Sequence, residues 1–561
     1  MESLKDLTLG LRSTRKLIVG IDFRTTFSGI AFAETRRADH HFIIETWPSS
    51  LGGTTSEKVP TELRYTTPDI EWGYQIPSGA ERHQWFKLGF ADSNIEGMVQ
   101  SEESERLTTD YLAQLYSHLM YTLEQRFGTA IVRSMNLEFC ITVPAIWSEA
   151  AKQKTLEACQ NAGLESSAEI LLVSEPEAAA VSALHGLDPH ELNVGDSFVL
   201  CDAGGGTVDL VSYSITALHP LLEVKEVAAG TGGLCGSTFL NRRFGEFLES
   251  KLGLEPGWNE EMLADAMDRF ETVFKRNYSP STAAAGYTIT VPDLADNRPL
   301  GVRRGRFTIT PADMQDIFEP IVLKIVQLIR GQIRDSETDI TAVLLVGGLG
   351  QNNYLKERIS SAIGDVEVLQ PPWAWTAVVR GAVMMGLSRA DSSLASVGIV
   401  SRTARKHYGV DLSCNFESSK HLGSKRYWSS KYLRFRVHAM HWFICKGDDV
   451  VENQPIAIGF HHDYLVSGGN PRSISLSVWC DSESRQAPIH KTQALQKLVN
   501  LEADLTHLTD RHLEHTITTR QDGLDYYCIE GAIEATFYSA TTKYILLLQG
   551  KRYDTVTAEY V

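Results

Sequence analysis

Three short turns, each placed after an apolar and β-rich run, constrain the fold of this 561-residue chain more than any other feature. Two of them join the strands of predicted hairpins, and each of these begins with an aspartate. The third lies between a buried strand and a helix. Their glycine and hydroxyl residues let the backbone approach a ligand without a Cβ collision. The turns are DFRTTFSG (22–29), DAGGGTVD (202–209) and VGGLG (346–350).

This combination predicts a polyphosphate site. Closely spaced backbone N–H groups bind phosphate oxygens, and carboxylates beside them hold Mg²⁺ through water, because Mg²⁺ gives up its hydration shell reluctantly. Each turn alone also has a purely structural explanation: the first is unremarkable, the second is equally typical of a tight hairpin, and the third is more often a packing glycine than a nucleotide contact. The three together favour a nucleotide clamp. The sequence contains no P-loop motif. The segment GTGGLCG (230–236) resembles the glycine motif of dinucleotide-binding folds but does not match it, which argues against that class of fold.

The order of strand-like and helix-like segments predicts an α/β architecture followed by a β-rich domain. We expect a flexible N-terminus over residues 1–15, a two-lobed domain over 16–390 and a β-rich C-terminal domain over 398–561. Apolar residues at helical spacing predict a helix from Glu103 to Phe127. The polar stretch 486–520 is expected to form a short helix or a loop.

Composition narrows the classes of partner. A formal net charge of −17 disfavours binding to nucleic acid. No apolar run approaches the ~20 residues that a membrane span requires, and the first residues lack a secretory signal. The eight cysteines are scattered without a CxxC pair, which predicts reduced thiols. We therefore expect a cytoplasmic protein, with the nucleus as an alternative.

The three turns resemble the phosphate and adenosine motifs of the superfamily that contains actin, sugar kinases and heat-shock chaperones. Within it the chain is most similar to the heat-shock protein 70 family, over about residues 16–390. This resemblance implies an actin-like ATPase domain of two lobes with ribonuclease H-like repeats. The segments KVPTELRY (58–65) and HYGVDL (407–412) indicate a divergent, atypical member. The matching landmarks are TVPAIWSEAAKQKTLEACQNAGL (142–164), VSEPEAAAVSAL (173–184), GGLCGSTFLNRRF (232–244) and TAVVRGAVMMGL (376–387).

The resemblance also implies that ATP or ADP binds together with Mg²⁺. Asp22 and Asp202 would orient magnesium-bound waters, with Glu175 beside the metal. Thr207 would lie near the terminal phosphate, and Asp209 would help to order the attacking water. The residues implied to contact the nucleotide, through the phosphates, the adenosine or the purine, are Arg24, Thr25, Thr26, Gly204, Gly205, Gly206, Gly232, Gly233, Glu271, Lys275, Gly347, Gly348 and Gly350.

Several positions depart from the family pattern. Arg24 stands where the first phosphate turn of the family usually has glycine. Three alternatives are open for its side chain: it points to solvent, it binds a phosphate as a charge clamp, or it blocks the approach of the phosphate. Gln351 replaces an arginine that stacks on the base, which predicts a weaker adenine pocket. Lys87 is a candidate catalytic lysine, with a surface lysine as the alternative. The acidic-leucine linker and the helical lid of typical chaperones are not found after residue 390.

These observations predict an ATP-binding, chaperone-like protein of the stress-response type. Its slow ATPase activity would be coupled to lobe movement, and its C-terminal domain would bind a client polypeptide or a partner protein. A non-hydrolysing nucleotide-binding scaffold is the alternative from another class. A small-molecule kinase is the third hypothesis, although no catalytic aspartate or sugar pocket is identified for it.

Overall fold

The computed structural model describes residues 16–50, 52–91, 101–164, 166–186, 192–279, 286–506, 508, 513–548, 551–553 and 557–560. The chain divides into two compact units, Met1–Ile399 and Val400–Val561. The segment 1–15, predicted to be flexible, lies outside the described residues. No helix in the described ranges combines the length and the apolar character needed to cross a membrane.

The first unit alternates strands and helices. Its strands β1 to β18, in chain order, are Lys16–Asp22, Phe27–Glu34, Phe42–Ile43, Thr46–Trp47, Thr54–Thr55, Val59–Pro60, Glu62–Tyr65, Ile70–Trp72, His83–Gln84, Asn136–Val143, Leu171–Ser174, Ser197–Ala203, Val208–Ala217, Leu222–Gly233, Tyr287–Thr290, Arg306–Ile309, Ala342–Val346 and Glu367–Leu369. Its helices α1 to α10 are Ser101–Phe127, Thr129–Val132, Glu149–Asn161, Glu175–Gly186, Ser237–Leu252, Glu260–Arg269, Lys275–Asn277, Pro311–Asp335, Asn353–Ile363 and Ala377–Ala390.

Two sheets of the first unit repeat one topology. The first has the order β11-β10-β1-β2-β3, and the second contains the order β18-β17-β12-β13-β14. In each sheet an antiparallel hairpin, β1–β2 or β12–β13, is flanked by parallel strands. The predicted α/β fold with two repeated lobes is therefore confirmed, and the two aspartate-bearing turns occupy equivalent hairpins.

One apolar core joins the two sheets through α4 and α10. It contains Ile18 of the first sheet, Leu200 of the second, and the buried alanines of α4. The two helices lie close together because Gly381 has no side chain: a Cβ at this position would collide with the backbone of Ala178. A second core covers the other face of the second sheet with α5 and α8.

Local sequence explains where the long helices form. The predicted helix from Glu103 to Phe127 is found as α1, and Leu107, Leu115 and Leu119, spaced for one face, are fully buried. At the start of α8, Thr310 and Asp313 form a reciprocal capping box.

The second unit is β-rich, as predicted. Strand β19, Val397–Thr403, begins in the last residues of the first unit and ends in the second. The strands β20 to β31 are His407–Asn415, Tyr427–Ser429, Arg434–Ile444, Asp449–Val450, Ile456–Leu465, Ser473–Asp481, Gln496–Asp504, Ile517–Thr519, Asp525–Phe537, Thr542–Leu548, Lys551–Tyr553 and Thr557–Tyr560.

One sheet of the second unit has six strands. The other has five: four follow the order β24-β28-β29-β30, and β27 pairs with β28. The apolar core of this unit contains Val478 and Leu546. The expectation of a helix or loop over 486–520 is wrong for residues 496–504, which form a strand because Val499, Leu501 and Ala503 alternate on one buried face.

Candidate functional site

The three turns meet at one cavity of the first unit, with a volume of about 230 Å³. Each turn contributes residues to its wall, and so does the helical region around residue 275. Seven of the residues predicted from the sequence line it: Arg24, Thr26, Gly204, Gly205, Glu271, Lys275 and Gly348. The remaining lining residues are Phe27, Lys58, Ser237, Arg276, Leu349, Gln351, Asn352 and Trp375.

The second turn is fixed between the hairpin β12–β13 and the start of α5. The N–H groups of Gly236, Ser237 and Thr238 donate to the carbonyls of residues 206, 204 and 205 at 3.1, 3.1 and 2.8 Å. Glycine is required here because the first turn approaches closely: a Cβ at Gly206 would lie 2.5 Å from Oγ1 of Thr25. The two turns are therefore packed against each other.

Arg24 is buried, so the alternative of a solvent-facing side chain is wrong. Only 6% of the residue is exposed. Its Nε donates to Oδ1 of Asp22 at 2.9 Å, and its Nη1 donates to Oδ1 of Asp202 at 3.0 Å. Nη2 donates to the other oxygen of Asp202. The guanidinium thus bridges the aspartates of the two hairpins.

Lys58 is a second cation at this position, and sequence reasoning missed its role. Its Nζ donates to Oδ2 of Asp22 at 2.6 Å, while Thr142 donates to Oδ1 of the same carboxylate at 3.0 Å. Burial acts to raise the pKa of Asp22, but Arg24 and Lys58 outweigh it and hold that pKa well below its usual range. Burial lowers the pKa of Lys58 itself, which the nearby Asp22 carboxylate partly opposes.

The predicted magnesium ligands do not fit that ion in this arrangement. Both oxygens of Asp22 and both oxygens of Asp202 already accept hydrogen bonds, and each of the four accepts one from a cation. Magnesium-bound waters would need these same oxygens as acceptors. Among the described residues there is also no group of three or more His, Cys, Asp or Glu side chains arranged to hold a metal.

Lys87 is buried beside Glu175, so the alternative of a surface lysine is wrong. Its Nζ donates to Oε1 of Glu175 at 2.7 Å and to the carbonyl of Phe23 at 2.6 Å. The ammonium also lies 5.3 Å from the centre of the Phe23 ring and 5.0 Å from that of Trp147. Because it contacts the first turn directly, Lys87 connects that turn to the start of α4.

Asp209 combines burial with an incomplete set of hydrogen bonds. Its Oδ1 accepts from the N–H of Ala145 at 3.0 Å. Its Oδ2 is buried and has no hydrogen-bond partner in the described part of the chain. Burial, reinforced by the neighbouring Glu175 carboxylate, raises the pKa of Asp209 to about 7. Thr207, two residues earlier, is also buried.

Glu271 and Lys275 form an ion pair at the edge of the cavity. Nδ2 of Asn241 donates to Glu271 at 2.7 Å, and Nζ of Lys275 donates to Oδ1 of Asn241 at 3.1 Å. Burial tends to raise the pKa of Glu271, but the Lys275 ammonium lowers it below its ordinary value. This polar group gives the cavity wall hydrogen-bond donors and acceptors.

The third turn lies against the second hairpin. Gly347 has a φ of +86°, and a Cβ there would lie 2.5 Å from Oδ1 of Asp202. Gly350 packs on Leu345 behind the cavity, whereas Gly348 lies on its wall. The structure thus brings the third turn directly beside the aspartate of the second.

Trp375 and Arg276 form a wall that sequence reasoning also missed. The guanidinium carbon of Arg276 lies 5.8 Å from the centre of the Trp375 ring and 5.6 Å from that of Phe27. The two rings meet edge to face at 6.1 Å. Trp375 directly precedes the landmark at 376–387, but no periodicity or spacing marks an isolated tryptophan as a wall residue.

Gly232 and Gly233 are not among the residues that line this cavity. They end β14, where they pair with Asp209 and Val208. Gly232 is glycine because a Cβ would lie 2.7 Å from the carbonyl oxygen of Val208. Gly233 lines a separate cavity with Cys235 and Lys324. Strand packing therefore explains Gly232, whereas a Cβ on Gly233 would meet only the side chains of Leu328 and Cys235, at 3.3 and 3.6 Å.

Comparisons with known proteins agree with this geometry. Residues 84–392 match the family model described as Hsp70 protein. Heat shock 70 kDa protein 12A of Mus musculus is 24% identical over 519 residues, which cover 74% of each chain. Heat shock 70 kDa protein 12B of Homo sapiens is 23% identical over 576 residues, covering 83% of this chain and 80% of that relative.

A bacterial relative matches over a shorter length. The Chaperone protein HscA homolog of Bordetella petrii is 28% identical over 369 residues, which cover 62% of this chain and 54% of the relative. The matched family region contains the second and third turns, α4 and the Glu271–Lys275 pair, and the first turn meets them at the same cavity. By this match and by its repeated two-sheet ATPase fold, the chain belongs to the Hsp70 family, in which it is a divergent member.

Proposed function

We propose that the first unit binds ATP and ADP at the cavity formed by the three turns, and that the protein has a chaperone-like role. The observation that carries this proposal is the convergence of residues from all three turns, together with Glu271 and Lys275, on one cavity. The names of the relatives support the chaperone-like role, and the fold family supports the nucleotide.

In this proposal the phosphates lie against the first two turns. Backbone N–H groups of Thr25, Thr26, Gly205 and Gly206 donate to the phosphate oxygens, whereas the N–H of Gly204 donates to the carbonyl of Thr207 and closes the turn. Glu271 and Lys275 contact the ribose and adenine edges, and the purine lies against the Trp375–Arg276 wall. An aromatic ring and a guanidinium both stack favourably on a base, which compensates for Gln351 at the position of the family's arginine.

We further propose slow hydrolysis of the terminal phosphate. Water attacks the terminal phosphorus, the bond to the oxygen bridging the last two phosphates breaks, and ADP and phosphate leave. Asp209 orders the water through its unpartnered Oδ2 and accepts its proton. Thr207 donates its hydroxyl to the terminal phosphate, and the Lys87–Glu175 pair holds the first turn in position.

Calorimetric titration with ATP and ADP, followed by phosphate release from bound ATP, tests both parts. Thr207→Val is the matched variant because it keeps the β-branched shape and removes the hydroxyl. The expected result is slow release by the wild-type protein and none by Thr207→Val, with ATP affinity within about threefold of wild type. Absence of any adenine-nucleotide binding would reject the proposed function.

A nucleotide-binding scaffold without hydrolysis is the second candidate. The burial of Arg24 between Asp22 and Asp202 favours it. The two carboxylates are occupied by the guanidinium and therefore do not orient water at the terminal phosphate. Phosphate release no higher than the background rate for both wild-type protein and Thr207→Val, with ATP binding intact, would select this candidate.

We propose that hydrolysis changes the angle between the two lobes and that the C-terminal unit senses this change. In this proposal the C-terminal unit binds a client polypeptide or a partner protein. Cleavage by a protease near residues 390–400 should then differ between the ATP and ADP states. Identical cleavage patterns in the two states would reject the coupling. We place the protein in the cytoplasm, and fractionation of cells expressing it tests that location.

A further inference from the structure

The charges around the two hairpin aspartates are balanced within the chain. Asp22 and Asp202 are two carboxylates, and Arg24 and Lys58 are the two cations bonded to them. All four residues are more than nine-tenths buried. Carboxylates facing a phosphate site normally require a cation between them and the phosphates. Here the chain itself supplies that cation.

Arg24 and Lys58 are also the members of this group that line the cavity, whereas the two aspartates lie behind them. The bonds in the described part of the chain use three of the five guanidinium N–H groups of Arg24 and one of the three N–H groups of Lys58. Donors therefore remain on both side chains for the oxygens of a ligand in the cavity.

A hydrated magnesium ion conflicts with this arrangement in two ways. It would require the carboxylate oxygens that Arg24 and Lys58 now occupy. It would also place a double positive charge within a few ångströms of two further positive charges in a buried site, where repulsion is weakly screened. Removing Arg24 from Asp202 to admit the ion would break a buried, bidentate ion pair.

We propose that this site binds ATP and ADP without magnesium, with Arg24 and Lys58 as permanent counter-cations for the phosphates. The inference rests on the proposed nucleotide function and specifies which form of the nucleotide binds, namely the metal-free form. In a solution that contains Mg²⁺ most ATP is bound to the metal. Excess Mg²⁺ therefore lowers the concentration of the free ATP that this site binds.

Calorimetric titration of the full chain with ATP, in excess Mg²⁺ and in EDTA, tests the inference. For the wild-type protein the dissociation constant in EDTA should equal the value in Mg²⁺ or be smaller. Arg24→Gly should weaken ATP binding in EDTA at least ~tenfold, and Mg²⁺ should restore it, because the exposed carboxylates then need a metal. Wild-type binding that weakens ~tenfold or more in EDTA would overturn the inference.

Arg276→Gln is the matched control. It removes a positive charge from the same cavity, but Arg276 is bonded to neither aspartate in the described structure. Its ATP affinity should fall by the same factor in Mg²⁺ and in EDTA. If Arg276→Gln acquires the same magnesium dependence as Arg24→Gly, the assignment to Arg24 is wrong.

A measurement without nucleotide separates this inference from the proposed function. Mg²⁺ at millimolar concentration should leave the thermal unfolding midpoint of the wild-type protein unchanged relative to Ca²⁺-free, Mg²⁺-free buffer of equal ionic strength. It should raise the midpoint of Arg24→Gly, and of Arg24→Lys to a smaller extent, because the freed carboxylates bind it. Stabilisation of wild-type protein equal to that of Arg24→Gly would overturn the inference even if no nucleotide binds.

Discussion

Lys87 and Glu175 form a buried ion pair, with 2.7 Å between Nζ and Oε1. The ammonium also donates to the carbonyl of Phe23, one residue after Asp22. This pair therefore joins the first phosphate turn to the beginning of α4, and it does so in a position that water reaches poorly.

Lys87→Met should destabilise the first unit by about 3–5 kcal/mol, because it leaves the Glu175 carboxylate buried without its cation. Urea unfolding monitored by circular dichroism measures this loss. Lys87→Met combined with Glu175→Gln should recover much of the stability, since the uncompensated charge is gone. A double variant as unstable as the single one would show that packing of the lysine stem, and not the ion pair, is responsible.

Asp209 should make stability depend on pH. Its folded-state pKa, about 7, lies above that of an unfolded aspartate, 3.8, so between these values the folded state binds more protons. Stability from this group is therefore fully present below about pH 4 and is lost as the pH rises through 7. The resulting decrease in the free energy of unfolding is about 2–4 kcal/mol. Asp209→Asn should not show this decrease, because asparagine does not ionise.

The measurement is the unfolding free energy of wild type and Asp209→Asn at pH 5 and at pH 8. The variant should be relatively more stable at pH 8 than at pH 5. An unchanged difference between the two pH values would mean that Asp209 titrates normally in the folded protein.

Local patterns predicted the two hairpins and the strand-to-helix turn, and the family resemblance implied that the lobes repeat and that the turns converge. An apolar run, a glycine turn and a second apolar run specify a hairpin wherever they occur, and the order of elements specifies the sheet neighbours. The expected nucleotide contacts at Thr26, Gly204 and Gly348 lie on the cavity for this reason.

The sequence could not predict what surrounds the aspartates. Lys58 lies 36 residues from Asp22 in the chain, and no spacing rule links a lysine in KVPT to that carboxylate. The orientation of Arg24 depended on Asp202, which approaches only when the two lobes assemble. Gly232 and Gly233 were predicted to contact the nucleotide but do not line the cavity. Strand packing requires glycine at position 232, and in a sequence such a glycine cannot be distinguished from one that contacts a phosphate.

Gly206→Ala should weaken nucleotide binding at least ~tenfold, since the added Cβ meets Thr25 and Leu88 and pushes the two phosphate turns apart. Gly245→Ala is the control: it lies in α5, where the nearest atom to a Cβ is Sδ of Met267 at 3.7 Å. Calorimetric titration with ADP compares them. Equal affinities for both variants would show that the approach of the turns does not shape the site.

Trp375→Leu should weaken ATP and ADP binding roughly tenfold, the usual value of one aromatic ring stacked on a base. Trp375 lies on the cavity wall with Arg276 and Phe27. Nucleotide binding should also quench tryptophan fluorescence in the wild-type protein, and this change should disappear in Trp375→Leu. Inorganic triphosphate, which has no base, should bind both proteins equally.

Trp373→Leu is the matched control for that experiment. Trp373 is two residues away and 54% exposed; its ring lies near Arg380 and Gly186, and it is not among the residues that line the cavity. It should keep both the ATP affinity and the fluorescence change. If Trp373→Leu loses them and Trp375→Leu does not, the purine lies outside the wall proposed here, and the loss of the family's arginine at Gln351 has no aromatic compensation.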